Sequence, residues 1–184
     1  MRFRFQFRRY SVPFRTVVRT AHGVWTKREG VIVRLQDAGE GAREDAVGYG
    51  EAAPIPEFGT ETLDEIAAAC GEIGEWVEGS RLDDVPVALG CLRHAIAAAR
   101  AEVTAPGAVK TGAALAMAAL LPAIAAALPL IGSKADMGFR VFKWKVGVGD
   151  VADELGLLDD ICAALPNGAK LRLDANGAWD RRKA

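Results

Sequence analysis

Two stretches, F-K-W-K-V-G (Phe142 to Gly147) and L-R-L-D-A-N-G-A-W (Leu171 to Trp179), decide how this chain is read. Each lies at the end of a segment with strand-like composition, and a helix-like stretch separates them. Because side chains alternate across a strand, Lys143 and Lys145 share one face and Phe142 and Trp144 the other. In the later segment Lys170, Arg172 and Asp174 fall on one face and Leu171 and Leu173 on the opposite one. A parallel strand covered by helices is apolar on both faces. A polar row on one face fits the inward side of a β/α barrel, where side chains at the C-terminal strand ends form an active site. Each motif alone has another reading. K-W-K also suits a solvated edge strand, and D-A-N-G also suits an Asx turn in which Asp174 pairs with Arg172. Their occurrence on consecutive strands favours the barrel.

Outward from these motifs, strands and helices alternate from Pro106 and Gly107 onward. The pattern predicts a strand in Ala113–Leu121, a helix in Ala123–Leu128, and a strand in Phe139–Val146. A helix in Val151–Leu165, a P-N-G turn at Pro166–Gly168 and a strand in Ala169–Asp174 complete it. This amounts to about two and a half right-handed β/α units. An eight-fold barrel needs roughly 250 residues, and fewer than eighty follow Gly107.

The N-terminal part reads differently. Strands are expected at Arg2–Tyr10, Gly30–Leu35 and Val47–Ala52, the last ended by Pro54 and Pro56. Thr62 and Glu65 form a capping box for a helix whose apolar stripe is Leu63, Ile66, Ile73, Trp76 and Val77. A second helix is expected from Pro86 to about Ala101. The fold class expected is therefore an α+β domain over 1–105, followed over 106–184 by the first units of an α/β, TIM-type barrel.

The 184 residues carry a net charge of −1, with 51% hydrophobic and 26% charged residues. That balance argues against non-specific binding to nucleic acid or to an anionic membrane. The basic start lacks the apolar core of a signal peptide, and the apolar run Ala113–Ile131 is broken by Pro122 and Pro129. Cys70, Cys91 and Cys162 are odd in number and scattered, which suits free thiols in a reducing cytoplasm. His94 lies among alanines and Ile96, as expected of a packing or surface residue.

The chemistry at the strand ends is coherent. Two ammonium groups about 7 Å apart on one strand face, or one beside a divalent cation, favour an uncharged amine that can act as a base. Asp174 offers a hard oxygen suited to Mg2+.

With these residues the chain resembles the enolase superfamily, and within it the o-succinylbenzoate synthase family, nearly end to end. V-G-Y-G-E-A-A-P-I-P (Val47–Pro56) is similar to the third strand of that family's capping domain, and A-L-L-P (Ala119–Pro122) to its first barrel unit. H-G-V-W-T-K-R-E-G (His22–Gly30) is similar to its mobile substrate-covering loop, which would contribute His22, Gly23, Trp25 and Arg28. The resemblance implies Lys145 as acid/base, Lys143 as its neighbour, and Asp174 as the first of three carboxylates on Mg2+. Asn176 belongs to the motif without an assigned role. It further implies a small-molecule carboxylate substrate and a syn dehydration, or the reaction of an acylamino-acid racemase, dipeptide epimerase or muconate cycloisomerase of the same subgroup. In that family two more acidic ligands and a second lysine lie on later strands, so the chain reads as truncated. Alone it is expected to be inactive, and to form a homo-oligomer or aggregate. The non-enzymatic alternative is a capping-domain fragment that serves as a binding module.

Overall fold

The structure is a computed structural model that describes residues 1–20, 22–42, 46–105 and 116–182. The expected change of pattern at Pro106 and Gly107, and the first residues of the Ala113–Leu121 run, lie outside them.

Strand β1 (Arg2–Thr20) buries Phe3 and Phe5, while β2 (Gly23–Asp37) buries Val31, Val33 and Leu35. Both strands are longer than their apolar alternation foretells. Beyond Tyr10 and before Gly30 most residues are exposed, so period-two patterning vanishes there. The two strands lie side by side, and backbone pairing extends them without a core. The family's covering-loop segment is accordingly strand from Gly23 onward, a correction to its reading as a loop.

β3 (Val47–Ala52) pairs antiparallel with β2, Val31 opposite Ala52 and Gln36 opposite Val47. Helix α1 (Leu63–Ile73) starts at the expected capping box. Glu65 N–H donates to Thr62 Oγ1 at 3.2 Å, and Thr62 N–H to Glu65 Oε2 at 2.7 Å. The helix ends before Trp76 and Val77, because Gly74 turns the chain out with φ of 78°. Those two residues form β4 (Trp76–Glu78), antiparallel to the start of β1. Helix α2 (Gly79–Asp83) follows.

Helix α3 (Gly90–Thr104) begins four residues after Pro86, since Pro86–Leu89 forms a turn closed by Leu89 N–H on the Pro86 carbonyl at 2.9 Å. The buried Glu61 caps α3, its Oε1 accepting from Cys91 N–H at 2.7 Å and Leu92 N–H at 3.1 Å. The sheet order is β3-β2-β1-β4. α3 lies unusually close to β3: a Cβ on Gly48 would stand 2.0 Å from the Ala99 carbonyl oxygen, and one on Gly50 1.9 Å from that of Ala95. Glycine at both positions, facing alanines on the helix, permits this approach.

The later residues build β/α units. β5 (Ala119–Leu121) leads through a 3-10 turn at Ile124–Ala127 into α4 (Leu128–Asp136). The helix expected at Ala123–Leu128 is thus one tight turn. The true helix follows it, with Pro129 tolerated in its first turn, where no intrahelical N–H is needed. β6 (Val141–Lys145), α5 (Val151–Ala164) and β7 (Lys170–Asp174) complete a parallel sheet of order β5-β6-β7. Phe142 and Trp144 are buried with Leu121, Ile131 and Ile161, which leaves the lysines of β6 on the opposite face.

The chain divides into two compact units, Met1–Phe14 with Lys27–Gly112, and Arg15–Thr26 with Ala113–Ala184. Each has its own apolar cluster. Among the described residues no helix is long and apolar enough to cross a membrane.

Candidate active site

The parallel register places Lys143 opposite Arg172 and Lys145 opposite Asp174, so both lysines and the aspartate meet at the C-terminal ends of β6 and β7. Val146 N–H donates to the Asp174 carbonyl at 3.1 Å and holds those ends together. Asp174 pairs with Lys143 (Nζ to Oδ2, 2.8 Å) and not with its same-strand neighbour Arg172. Residues two apart on one strand project in parallel, whereas a long lysine chain reaches readily across the narrower gap between strands.

The Asp174 side chain is 16% exposed. Burial pushes its carboxyl up, but the hydrogen bond and charge of Lys143, the Asn176 amide and the Lys145 charge outweigh burial and hold it below the usual carboxylate range. Its second oxygen accepts from Asn176 N–H at 3.3 Å, so the Asx-turn contact and the lysine pair coexist.

Asn176, which sequence left without a role, joins the cluster. Its Oδ1 accepts from Lys145 Nζ at 3.1 Å, and its carbonyl accepts from His22 Nε2 at 2.8 Å. Its φ of 47° is left-handed, a conformation asparagine tolerates better than most residues, and turns the side chain toward β6.

The four residues expected to cover substrate are divided between the two units. His22, Gly23 and Trp25 belong to the unit that holds β6 and β7, and Thr20 Oγ1 braces the turn by accepting from His22 N–H at 3.1 Å. Arg28 belongs to the other unit, where its guanidinium donates to the carbonyls of Ala53 and Pro54. There it lines an open hollow of about 480 Å3 with Glu51, Cys91 and His94.

Of potential Mg2+ ligands, Asp174 supplies one hard oxygen. Among the described residues no three His, Cys, Asp or Glu side chains group as a metal cage. The residues described fit one ligand position and no more, and a single carboxylate holds Mg2+ weakly.

A family model described as "MenC, N-terminal domain" matches residues 2–103, more than half of the chain. The chain belongs to the MenC family. The model "Enolase C-terminal domain-like" matches residues 130–184. The o-succinylbenzoate synthase of Thermosynechococcus vestitus is 39% identical over 182 residues, 98% of this chain and 54% of that protein. That of Yersinia enterocolitica is 35% identical, over 96% of this chain and 51% of that protein. This MenC-family chain therefore spans about half the length of the curated relatives it matches. In crystal structures it is similar to o-succinylbenzoate synthase from Thermosynechococcus elongatus with Mg in the active site (TM-score 0.81, 38% identity, 98% of this chain and 54% of that one). It also shares its fold with the L-Ala-D/L-Glu epimerase of Bacillus subtilis (TM-score 0.77, 24% identity, 98% of this chain and 55% of that one). The fold is thus that of an α+β capping domain followed by the opening units of a TIM-type barrel.

Proposed function

We propose that this chain carries part of the catalytic machinery of an o-succinylbenzoate synthase, which acts in menaquinone or phylloquinone biosynthesis in the cytoplasm. The observation that carries the reading is the cluster of Lys143, Lys145, Asp174 and Asn176 at neighbouring strand ends, in a chain 39% identical over 98% of its length to such an enzyme. The substrate would be 2-succinyl-6-hydroxy-2,4-cyclohexadiene-1-carboxylate and the product 2-succinylbenzoate. Residues 1–105 act as the capping domain and 106–184 as barrel, with the hairpin end bearing His22, Gly23 and Trp25, and Arg28 further along β2, serving the substrate.

In the reaction Lys145, as the free amine, takes the proton next to the ring carboxylate. The C–H electron pair moves into the carboxylate, then returns to form the third ring double bond as the C–O bond breaks. The departing hydroxide leaves as water once protonated. A syn elimination lets one amine on one face take the proton and give it back. Lys143 sits beside the base and holds Asp174 in place, and the Asn176 side-chain oxygen orients the Lys145 Nζ. Asp174 would hold Mg2+ together with ligands beyond those described, and the cation when bound offsets charge on the carboxylate.

The test is an absorbance assay of substrate loss with Lys145→Ala, in a polypeptide that continues these 184 residues through a whole barrel. Loss of an acid/base group typically costs ~10²–10⁴ in rate. Retention of more than about a tenth of the parent rate, judged on that scale, refutes the role of Lys145. The 184-residue chain alone, with one Mg2+ carboxylate at the site, is expected to turn over nothing. By size-exclusion chromatography it is expected to be oligomeric or aggregated, since the edges of its parallel sheet invite pairing.

A further inference from the structure

Glu154 lies in the first turn of α5, outside every motif discussed above, yet it is one of the few buried charged residues, 5% exposed. Its partners are three consecutive backbone amides in the loop after β6. Gly147 N–H donates to Oε2 at 2.8 Å, while Val148 and Gly149 N–H both donate to Oε1 at 3.0 Å. Successive N–H groups that converge in this way form an anion-binding concavity. Here the anion is the chain's own carboxylate, reaching back over the start of α5.

The loop it grips has no slack. Gly147 has φ of 76°, and a Cβ there would stand 2.7 Å from the Ala178 Cβ and 3.4 Å from the Ala175 carbonyl oxygen. The loops that follow β6 and β7 are therefore in contact. Two residues before Gly147 is Lys145, whose ammonium rests 3.1 Å from Asn176 Oδ1 on the β7 side.

We propose that Glu154 is a positioning residue for Lys145: by gathering the amides of Gly147–Gly149 it sets the end of β6 against the loop after β7, and so fixes the distance from Lys145 Nζ to Asn176. Its importance for turnover rests on the role proposed for Lys145. The coupling itself does not.

The test is Glu154→Gln, whose amide nitrogen cannot accept and must face at least one N–H donor. Lysines are reductively methylated with ¹³C, and the Lys145 signal is assigned by its loss in Lys145→Arg. The expected result is a displaced Lys145 signal, with faster amide hydrogen exchange at Gly147–Gly149. In the complete barrel kcat should fall by about 10- to 100-fold with KM little changed, as expected when a reacting group is misplaced by about 1 Å. Ile161→Val, a core change at the same helix, serves as the control: at a matched loss of melting temperature it should leave the Lys145 signal in place. If Glu154→Gln does not fold, Glu154→Asp keeps the charge but withdraws it by one methylene, and should displace the same signal by less. An unmoved Lys145 signal beside altered loop amides in either variant overturns the proposal. If Lys145→Ala keeps its activity, the assignment of the base fails instead, and the two failures are read from different measurements.

Discussion

Gly50→Ala is the sharpest perturbation of the fold. The added methyl would lie 1.9 Å from the Ala95 carbonyl oxygen, 2.6 Å from its carbon and 2.8 Å from its Cα. All three are helix backbone, so no side-chain rotation relieves the collision, and α3 as a whole must retreat by roughly 1.5 Å to reach ordinary contact distances. Leu92, Ala95, Ile96, Ala99 and Val103 are the buried face of that helix and would lose packing together. Overpacking typically costs about 1–3 kcal/mol, and a backbone clash belongs at the upper end or beyond. At about 2–4 °C per kcal/mol for a chain of this size, ~3 kcal/mol lowers the melting temperature by roughly 6–12 °C. Gly71→Ala is the matched control. It lies within α1 with nothing near its would-be Cβ, and should gain roughly 0.5–1 kcal/mol from helix propensity. Thermal and urea unfolding followed by circular dichroism measure both. A Gly50→Ala protein within 1 kcal/mol of the parent, a third of the estimate, would refute the reasoning that close backbone approach demands glycine here.

Two further outcomes are expected. Because the folded Asp174 carboxyl titrates below its unfolded value, its contribution is present above pH ~4 and is lost as pH falls through the lower folded value. The stability gap between parent and Asp174→Asn, on the order of 1 kcal/mol at pH 7 for a partly exposed pair, should therefore narrow progressively in urea titrations as the pH is lowered from about 4. Burial pushes the Cys70 thiol up to about 12, whereas Cys162 is exposed, so a thiol reagent at pH 8 should label Cys162 at once and Cys70 only on unfolding.

What sequence made legible followed from burial. The β6 alternation F-K-W-K and the capping box at Thr62 and Glu65 are local patterns, each written in a few neighbouring residues, and the structure carries both. The outer halves of β1 and β2 left no trace because exposed strands need no apolar period. β4 was hidden because three residues are too few to show one, and α4 because Pro129 and the alanine run mask its first turn. In the site, the lysines and Asp174 were legible from their shared face. The work of Asn176 was not, since a left-handed turn residue reveals its hydrogen bonds only once the strands are aligned. Glu154 left a faint signal, an acid shortly after V-G-V-G, that says nothing of direction until the loop curls onto it.

The hydrogen bond from His22 to Asn176 joins positions 154 residues apart. A ribosome adding about 5–20 residues per second needs roughly 8–30 s to cover that interval. Throughout it the hairpin end must wait exposed for a partner made 154 residues later. A nascent-chain experiment should thus find Arg15–Thr26 open to protease long after the first sheet is protected. A dissection that begins at residue 106 would leave twelve residues of the later unit behind on the earlier fragment.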